Sequence, residues 1–153
     1  MLRLLHETTA GHGLAAGREC VVHGDPGPFN TIFRRGLPVA FIDWSSSRPG
    51  DQLEDLGYMA WTWCIQSQGG VPIGEQARHL RELRDGYGDI EPEILLDAVV
   101  ASQARIVEAE TANLGNPRLP AARRQHAKAA VAWAAADRAL VRQHEVLLLA
   151  ALR

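Results

Sequence analysis

Leu2, Leu4 and Leu5 stand among good helix formers at the start of the chain, and this spacing predicts a short helix over residues 1–8. Gly11, Gly13 and Gly17 mark a loop after it, and the β-branched content of Cys20–His23 reads as a short strand. Two more strands, Thr31–Arg35 and Pro38–Ile42, are expected on either side of a turn at Gly36. From Asp51 onward the apolar period lengthens from two to about 3.6 residues. Leu53, Leu56, Gly57, Ala60 and Cys64 then share one helical face, with Asp51 as the N-cap. A second helix is expected over Ile73–Tyr87, with Ile73, Ala77, Leu80 and Leu83 inward, and a third from Pro92 to Gly115. One long helix from about Pro120 to Leu152 should close the chain, with Trp133, Leu140, His144, Leu147 and Ala151 on its packed face. The pattern implies an α+β fold, mostly helical, with a small β-hairpin unit near the front, and a single domain over residues 1–153.

Composition narrows the function classes. A chain of 153 residues can bury about 70% of the surface its unfolded form exposes. With 46% hydrophobic and 22% charged residues it has the makings of a real core. A net charge of -2 with no basic run argues against a nucleic-acid partner. Met1–Leu5 and Val146–Leu152 are too short to span a membrane, so no membrane partner is expected. Cys20 and Cys64 have neither metal-ligand spacing nor a disulfide framework; as free thiols they suit a reducing cytoplasm. The histidines show no strong zinc spacing, and His79, His126 and His144 read as helix-surface or core residues. Asp85, Asp89, Glu91, Glu93, Glu108 and Glu110 read as solvated helix faces rather than a cation-binding pocket. Gly11-His12-Gly13-Leu14-Ala15-Ala16 has the letters of a dinucleotide-binding turn, but it follows a helix and precedes a strand, the reverse of what that turn requires.

The chemistry is concentrated between Val21 and Trp44. Asp25 follows a strand, Asn30 comes five residues later, and Asp43 ends the following hairpin. Phosphoryl transfer needs a carboxylate to orient a hydroxyl and take its proton, together with oxygen ligands for magnesium. A loop between two strands can bring Asp25 and Asn30 to one phosphate chain, and a hairpin can return Asp43 to the same place. The competing reading makes all three turn or capping residues.

His23-Gly24-Asp25-Pro26-Gly27-Pro28-Phe29-Asn30, then Phe41-Ile42-Asp43-Trp44, then the Arg48–Trp61 segment, resemble in order the catalytic loop, metal-binding segment and following helix of the aminoglycoside phosphotransferase family. That resemblance implies the C-terminal lobe of a protein-kinase-like fold. It makes Asp25 the catalytic base and Asn30 and Asp43 the ligands of Mg2+ and, through it, of ATP. His23, Gly24 and Asp51 become loop-supporting residues, with Asp51 binding the loop backbone from the start of the next helix. The implied reaction moves the γ-phosphate of ATP to a hydroxyl of a small molecule. Family members carry a nucleotide-covering N-terminal lobe with a strand lysine, whereas only about twenty residues precede His23 and the one lysine is Lys128. The N-terminal lobe is therefore expected to be absent and the isolated chain inactive. A second protein chain or a homodimer would then cover the missing-lobe surface, which should be apolar. The alternative is a non-catalytic interaction or remnant domain.

Overall fold

The computed structural model describes residues 1–88 and 90–153, so Asp89 lies outside the described residues. Helix α1 (Leu2–Thr9) leads to strand β1 (Cys20–Val22), the hairpin β2 (Thr31–Arg34) and β3 (Leu37–Phe41), and a fourth strand β4 (Arg48–Gly50). Helices α2 (Gln52–Cys64), α3 (Ile73–Tyr87), α4 (Pro92–Leu114), α5 (Ala121–Gln143) and α6 (Glu145–Leu152) follow. The architecture is α+β, mostly helical, with two small antiparallel sheets. The glycine segment with the dinucleotide-like letters lies between α1 and β1, where Gly13–Ala15 forms a single 3-10 turn.

The hairpin expectation holds for β2 and β3, whose register runs from Thr31 opposite Phe41 to Arg34 opposite Leu37, with an irregularity between Ile32 and Phe33. Strand β1 does not join them. It pairs antiparallel with β4, Cys20 opposite Gly50 and Val22 opposite Arg48. Hydrophobic alternation does not mark β4, because it is three residues long and contains Pro49, which is tolerated only at an edge. Gly50 is needed there, since a Cβ would lie 2.9 Å from the Val22 methyls and 2.8 Å from Glu54 Oε1.

The core lies among α2, α3, α4, α5 and α6, with Leu56, Ala60, Trp61, Leu80, Leu95, Val99, Ala134 and Leu148 fully buried. Cys20 and Cys64 are buried free thiols, and burial raises them to about 11 and about 12, which keeps both protonated and unreactive. Trp61 is fixed by its indole N–H, which donates to the buried Asp137 of α5 at 2.8 Å. The other oxygen of Asp137 accepts from Ser67 N–H at 2.6 Å and so pins the turn after α2. The last helix is not continuous as expected. It breaks at His144 (φ -116, ψ 16), where the segment after the break packs on α3 and buries Leu148 and Leu152. Unbroken, residues 121–152 would form a rod of about 48 Å, and that last turn would project beyond the core. The packed face of α5 is also turned from the expected one: Ala127, Ala134, Asp137 and Val141 are buried, while Trp133 and Leu140 are half-buried. Among the described residues no helix is long and apolar enough to cross a membrane.

Helices α2 and α4 cross at Gly57, where a Cβ would stand 2.3 Å from the Ala98 carbonyl oxygen and 2.5 Å from its carbon. Alanine favours a helix interior by about 1 kcal/mol over glycine. Overpacking costs about 1–3 kcal/mol, and backbone atoms cannot rotate away as a side chain can. Gly57→Ala is therefore expected to destabilise by about 1–2 kcal/mol in urea unfolding. An equally stable variant would contradict the close crossing.

Candidate active site

Each of the three polar residues of the catalytic-loop pattern is aimed by its local backbone. After β1 the chain turns at Gly24 (φ +85), continues through Asp25, and makes a 3-10 turn at Pro28–Asn30 before β2. The Asn30 side-chain amide N–H donates to the Asp25 carbonyl at 3.1 Å, and the Thr31 hydroxyl donates to the Gly27 carbonyl at 3.0 Å. Trp63 of α2 donates to the Pro26 carbonyl at 3.0 Å and clamps the loop from below. The hairpin then returns, and the Ile42 amide donates to the Asn30 carbonyl at 2.9 Å. Asp43 follows in the left-handed conformation (φ 58, ψ 70). Asp25, Asn30 and Asp43 consequently line one cleft of about 620 Å³, between the loop and hairpin on one side and α2, α4 and α5 on the other.

The donor chemistry of the cleft suits a hard cation. Asn30 spends its amide N–H on Asp25, and its amide oxygen has no partner among the described residues. Asp43 Oδ1 accepts from the Ser45 hydroxyl at 2.7 Å and from the Ser45 amide at 3.4 Å, and Oδ2 has no partner among the described residues. The Ser45 hydroxyl first, then its amide, hold the Asp43 carboxyl below its ordinary value. Asn30 and Asp43 could each offer one oxygen to magnesium, which takes one or two protein ligands and fills the rest with water and phosphate. Among the described residues no cluster of three His, Cys, Asp or Glu could hold a metal alone.

His23 and Gly24 occupy supporting positions. The His23 ring is fully buried: Nε2 donates to the Ile42 carbonyl at 3.1 Å, and Nδ1 accepts from the Asp25 amide at 3.2 Å. Those partners fix its tautomer and leave no free nitrogen for proton transfer. Phe41 and Trp44 close over the ring at centroid distances of 5.3 and 4.5 Å. At Gly24 a Cβ would lie 2.4 Å from the Ser46 carbonyl oxygen, so the loop and the turn after Asp43 touch backbone to backbone.

The assignment of loop support to Asp51 is corrected. Asp51 is half-exposed at the N-cap of α2, where its amide donates to Glu54 and its carboxylate pairs with Arg18. The loop backbone is held instead by Asp55, one turn further on and 1% exposed. Its carboxylate accepts from the His23 amide at 2.6 Å and the Gly24 amide at 2.8 Å. A third contact is made by His6 of α1 at 3.1 Å, and the other nitrogen of that ring meets the Tyr87 hydroxyl at 2.7 Å. An N-cap position, one turn earlier, is too near the helix mouth to reach beneath the loop. The available signal was a second aspartate inside a helix, where aspartate is a poor helix former and needs another reason to be present.

The helical side of the cleft carries no motif. Tyr58 is raised by burial first and then by the Asp25 carboxylate beside it, so its hydroxyl stays protonated and able to donate to Asp25. Thr62, Glu110, His126 and Trp133 are among the residues of the remaining wall, so His126 is on the helix surface as expected and borders the cleft. Of the acidic helix positions, Asp85 pairs with Arg84 and Glu93 with Arg153 on the surface, whereas Glu110 faces the cleft.

Known proteins resemble this chain. The phosphotransferase enzyme family matches residues 2–92, which include the loop, the hairpin, Asp43 and Asp55. The trifolitoxin immunity protein of Rhizobium leguminosarum bv. trifolii is 32% identical over 109 residues of alignment, covering 58% of this chain and 42% of that protein. The chain thus spans less than half the length of that curated relative. No solved structure matches it. The family match covers more than half of the chain and every residue of the polar cluster, and the chain belongs to the phosphotransferase enzyme family.

Proposed function

We propose that residues 1–153 are one domain, the C-terminal lobe of a protein-kinase-like phosphotransferase that moves the γ-phosphate of ATP to a hydroxyl of a small molecule. The observation that carries this reading is the common cleft of Asp25, Asn30 and Asp43 in a chain of this family. Asp25 takes the proton of the acceptor hydroxyl as its oxygen bonds to the γ-phosphorus. The bond from that phosphorus to the bridging oxygen breaks, and ADP leaves with the electron pair. Asn30 and Asp43 hold magnesium, which when bound neutralises phosphate charge. Tyr58 keeps the Asp25 carboxylate turned toward the acceptor, and the Asn30 amide braces the Asp25 backbone carbonyl. The similarity to the trifolitoxin immunity protein supports an acceptor that is harmful to the cell.

Nucleotide cover comes from protein outside these residues, because Lys128 is exposed on α5 and does not line the cleft. Phe29, Ile32, Phe33, Leu37, Val39 and Ile42 are exposed on the loop and hairpin, an apolar surface suited to such a body, whether a preceding segment, a partner chain or a second copy. The cytoplasm is the compartment that supplies ATP and keeps Cys20 and Cys64 reduced.

Calorimetry of the full chain with Mg·ADP tests the roles. Asp43→Ala is expected to weaken binding about tenfold or more, and Asp25→Ala much less. Equal small effects would count against the assignment. Transfer to an alcohol by residues 1–153 alone, lost in Asp25→Ala, would show that no further body is needed. Nucleotide-independent partner binding with no transfer in any assembly would favour the non-catalytic alternative.

A further inference from the structure

The wall of the cleft opposite the hairpin is built from aromatic and aliphatic groups. Trp133 lines it and stacks on the fully buried Trp61, with ring centroids 4.2 Å apart and planes 21° from parallel. Trp61 is itself locked by Asp137, and Tyr58 meets it edge-on at 5.8 Å and 80°. Tyr58, Trp61 and Trp133 therefore form a rigid aromatic ladder whose outer members, Tyr58 and Trp133, border the cleft beside Asp25. Ile106, Ala129 and Ala130 continue the apolar surface, and Thr62 and His126 are the neutral polar and basic side chains set into it.

The carboxylate of this wall is already paired, and His126 is the ionisable base beside it. Glu110 is its one carboxylate, and both oxygens accept from Arg123, at 2.8 Å each, in a bidentate pair. Asn113 donates to the same carboxylate at 3.1 Å. Asp25 and Asp43, the other carboxylates lining the cleft, lie on the loop and hairpin side. An acceptor carrying several ammonium groups would find no uncommitted anion on the wall, whereas a flat apolar ring would find a prepared surface. The cleft volume of about 620 Å³ is that of a pocket for one drug-sized molecule.

From this geometry we propose that the acceptor is an uncharged alcohol bearing an aromatic or flat alicyclic ring, which stacks on Trp133 and presents its hydroxyl to Asp25. The proposal rests on the phosphotransferase reading for the direction of that hydroxyl, but not for binding itself.

Binding of 2-naphthylmethanol and of kanamycin, a polycation, is measured by ligand-observed NMR on the full chain without nucleotide. The naphthyl alcohol is expected to bind and kanamycin at the same concentration not to. Trp133→Ala should weaken binding about tenfold, and Trp133→Phe should keep most of it. Ala130→Phe fills the cleft from its lining and should abolish binding with an unchanged melting temperature, which keeps the test sound if Trp133→Ala unfolds. Kanamycin binding in preference, or naphthyl binding indifferent to both Trp133→Ala and Ala130→Phe, would overturn the proposal. Mg·ADP binding that depends on Asp43 alongside absent naphthyl binding would sink this inference and leave the phosphotransferase reading standing. The reverse result would do the opposite.

Discussion

Asp55→Ala is expected to cost about 3–5 kcal/mol of folding stability, the scale of breaking a buried charged contact. The carboxylate is 1% exposed and accepts from the His23 amide, the Gly24 amide and His6. Alanine strands three donors where water does not reach, each an unpaired group costing about 1–3 kcal/mol before relaxation. For a chain of this size the loss corresponds to a melting temperature lower by on the order of 10 °C. Asparagine should rescue little, because its amide N–H₂ must face one of the same donors. Urea unfolding gives the energy, and hydrogen exchange at the His23 and Gly24 amides should accelerate more than exchange within α4. A loss below about 1 kcal/mol would mean that the loop is held by other contacts.

The second large effect belongs to Gly24→Ala and separates conformational strain from collision. Gly24 has φ +85, and its Cβ would sit 2.4 Å from the Ser46 carbonyl oxygen and 2.9 Å from Ser46 Cβ. Gly36, at the hairpin turn, has φ +78 and nothing within 4 Å of its Cβ position. Gly36→Ala therefore reports the left-handed backbone alone, about 1–2 kcal/mol. Gly24→Ala carries that cost and must also part the loop from the turn that follows Asp43, for a total of about 3–4 kcal/mol. It should weaken Mg·ADP binding as well, since Asp25 and Asp43 move apart, while Gly36→Ala leaves nucleotide binding unchanged. Equal behaviour of the two variants would refute the backbone contact.

Much of this could be read before any coordinates. The bounds of α3 and the N-cap of α2 are as expected, and β2 and β3 differ from expectation by one residue, because their apolar periods and flanking turn residues agree with their packing. Asp25, Asn30 and Asp43 stood out because the chemistry of the cleft needs those side chains at fixed intervals along the chain. The break at His144 was illegible: nothing local stops the helix, and only the demand that Leu148 and Leu152 be buried against α3 turns it. Strand β4 exists because β1 needs a partner, which Arg48–Gly50 does not advertise. Asp55 and Asp51 carry the same side chain one turn apart, and only burial tells them apart. Tyr58, Glu110 and Trp133 come together from three helices, so no interval in sequence connects them.

The contact between His6 and Tyr87 spans 81 residues, and the one between His6 and Asp55 spans 49. An isolated helix as short as α1 is unstable in water and takes its order from what it docks against. During synthesis, a nascent chain that has already delivered Asp25, Asn30 and Asp43 still lacks the tyrosine that holds His6 beneath Asp55. The full set of bonds under the loop therefore closes only after residue 87 has left the ribosome, and the site matures with the helical body rather than ahead of it.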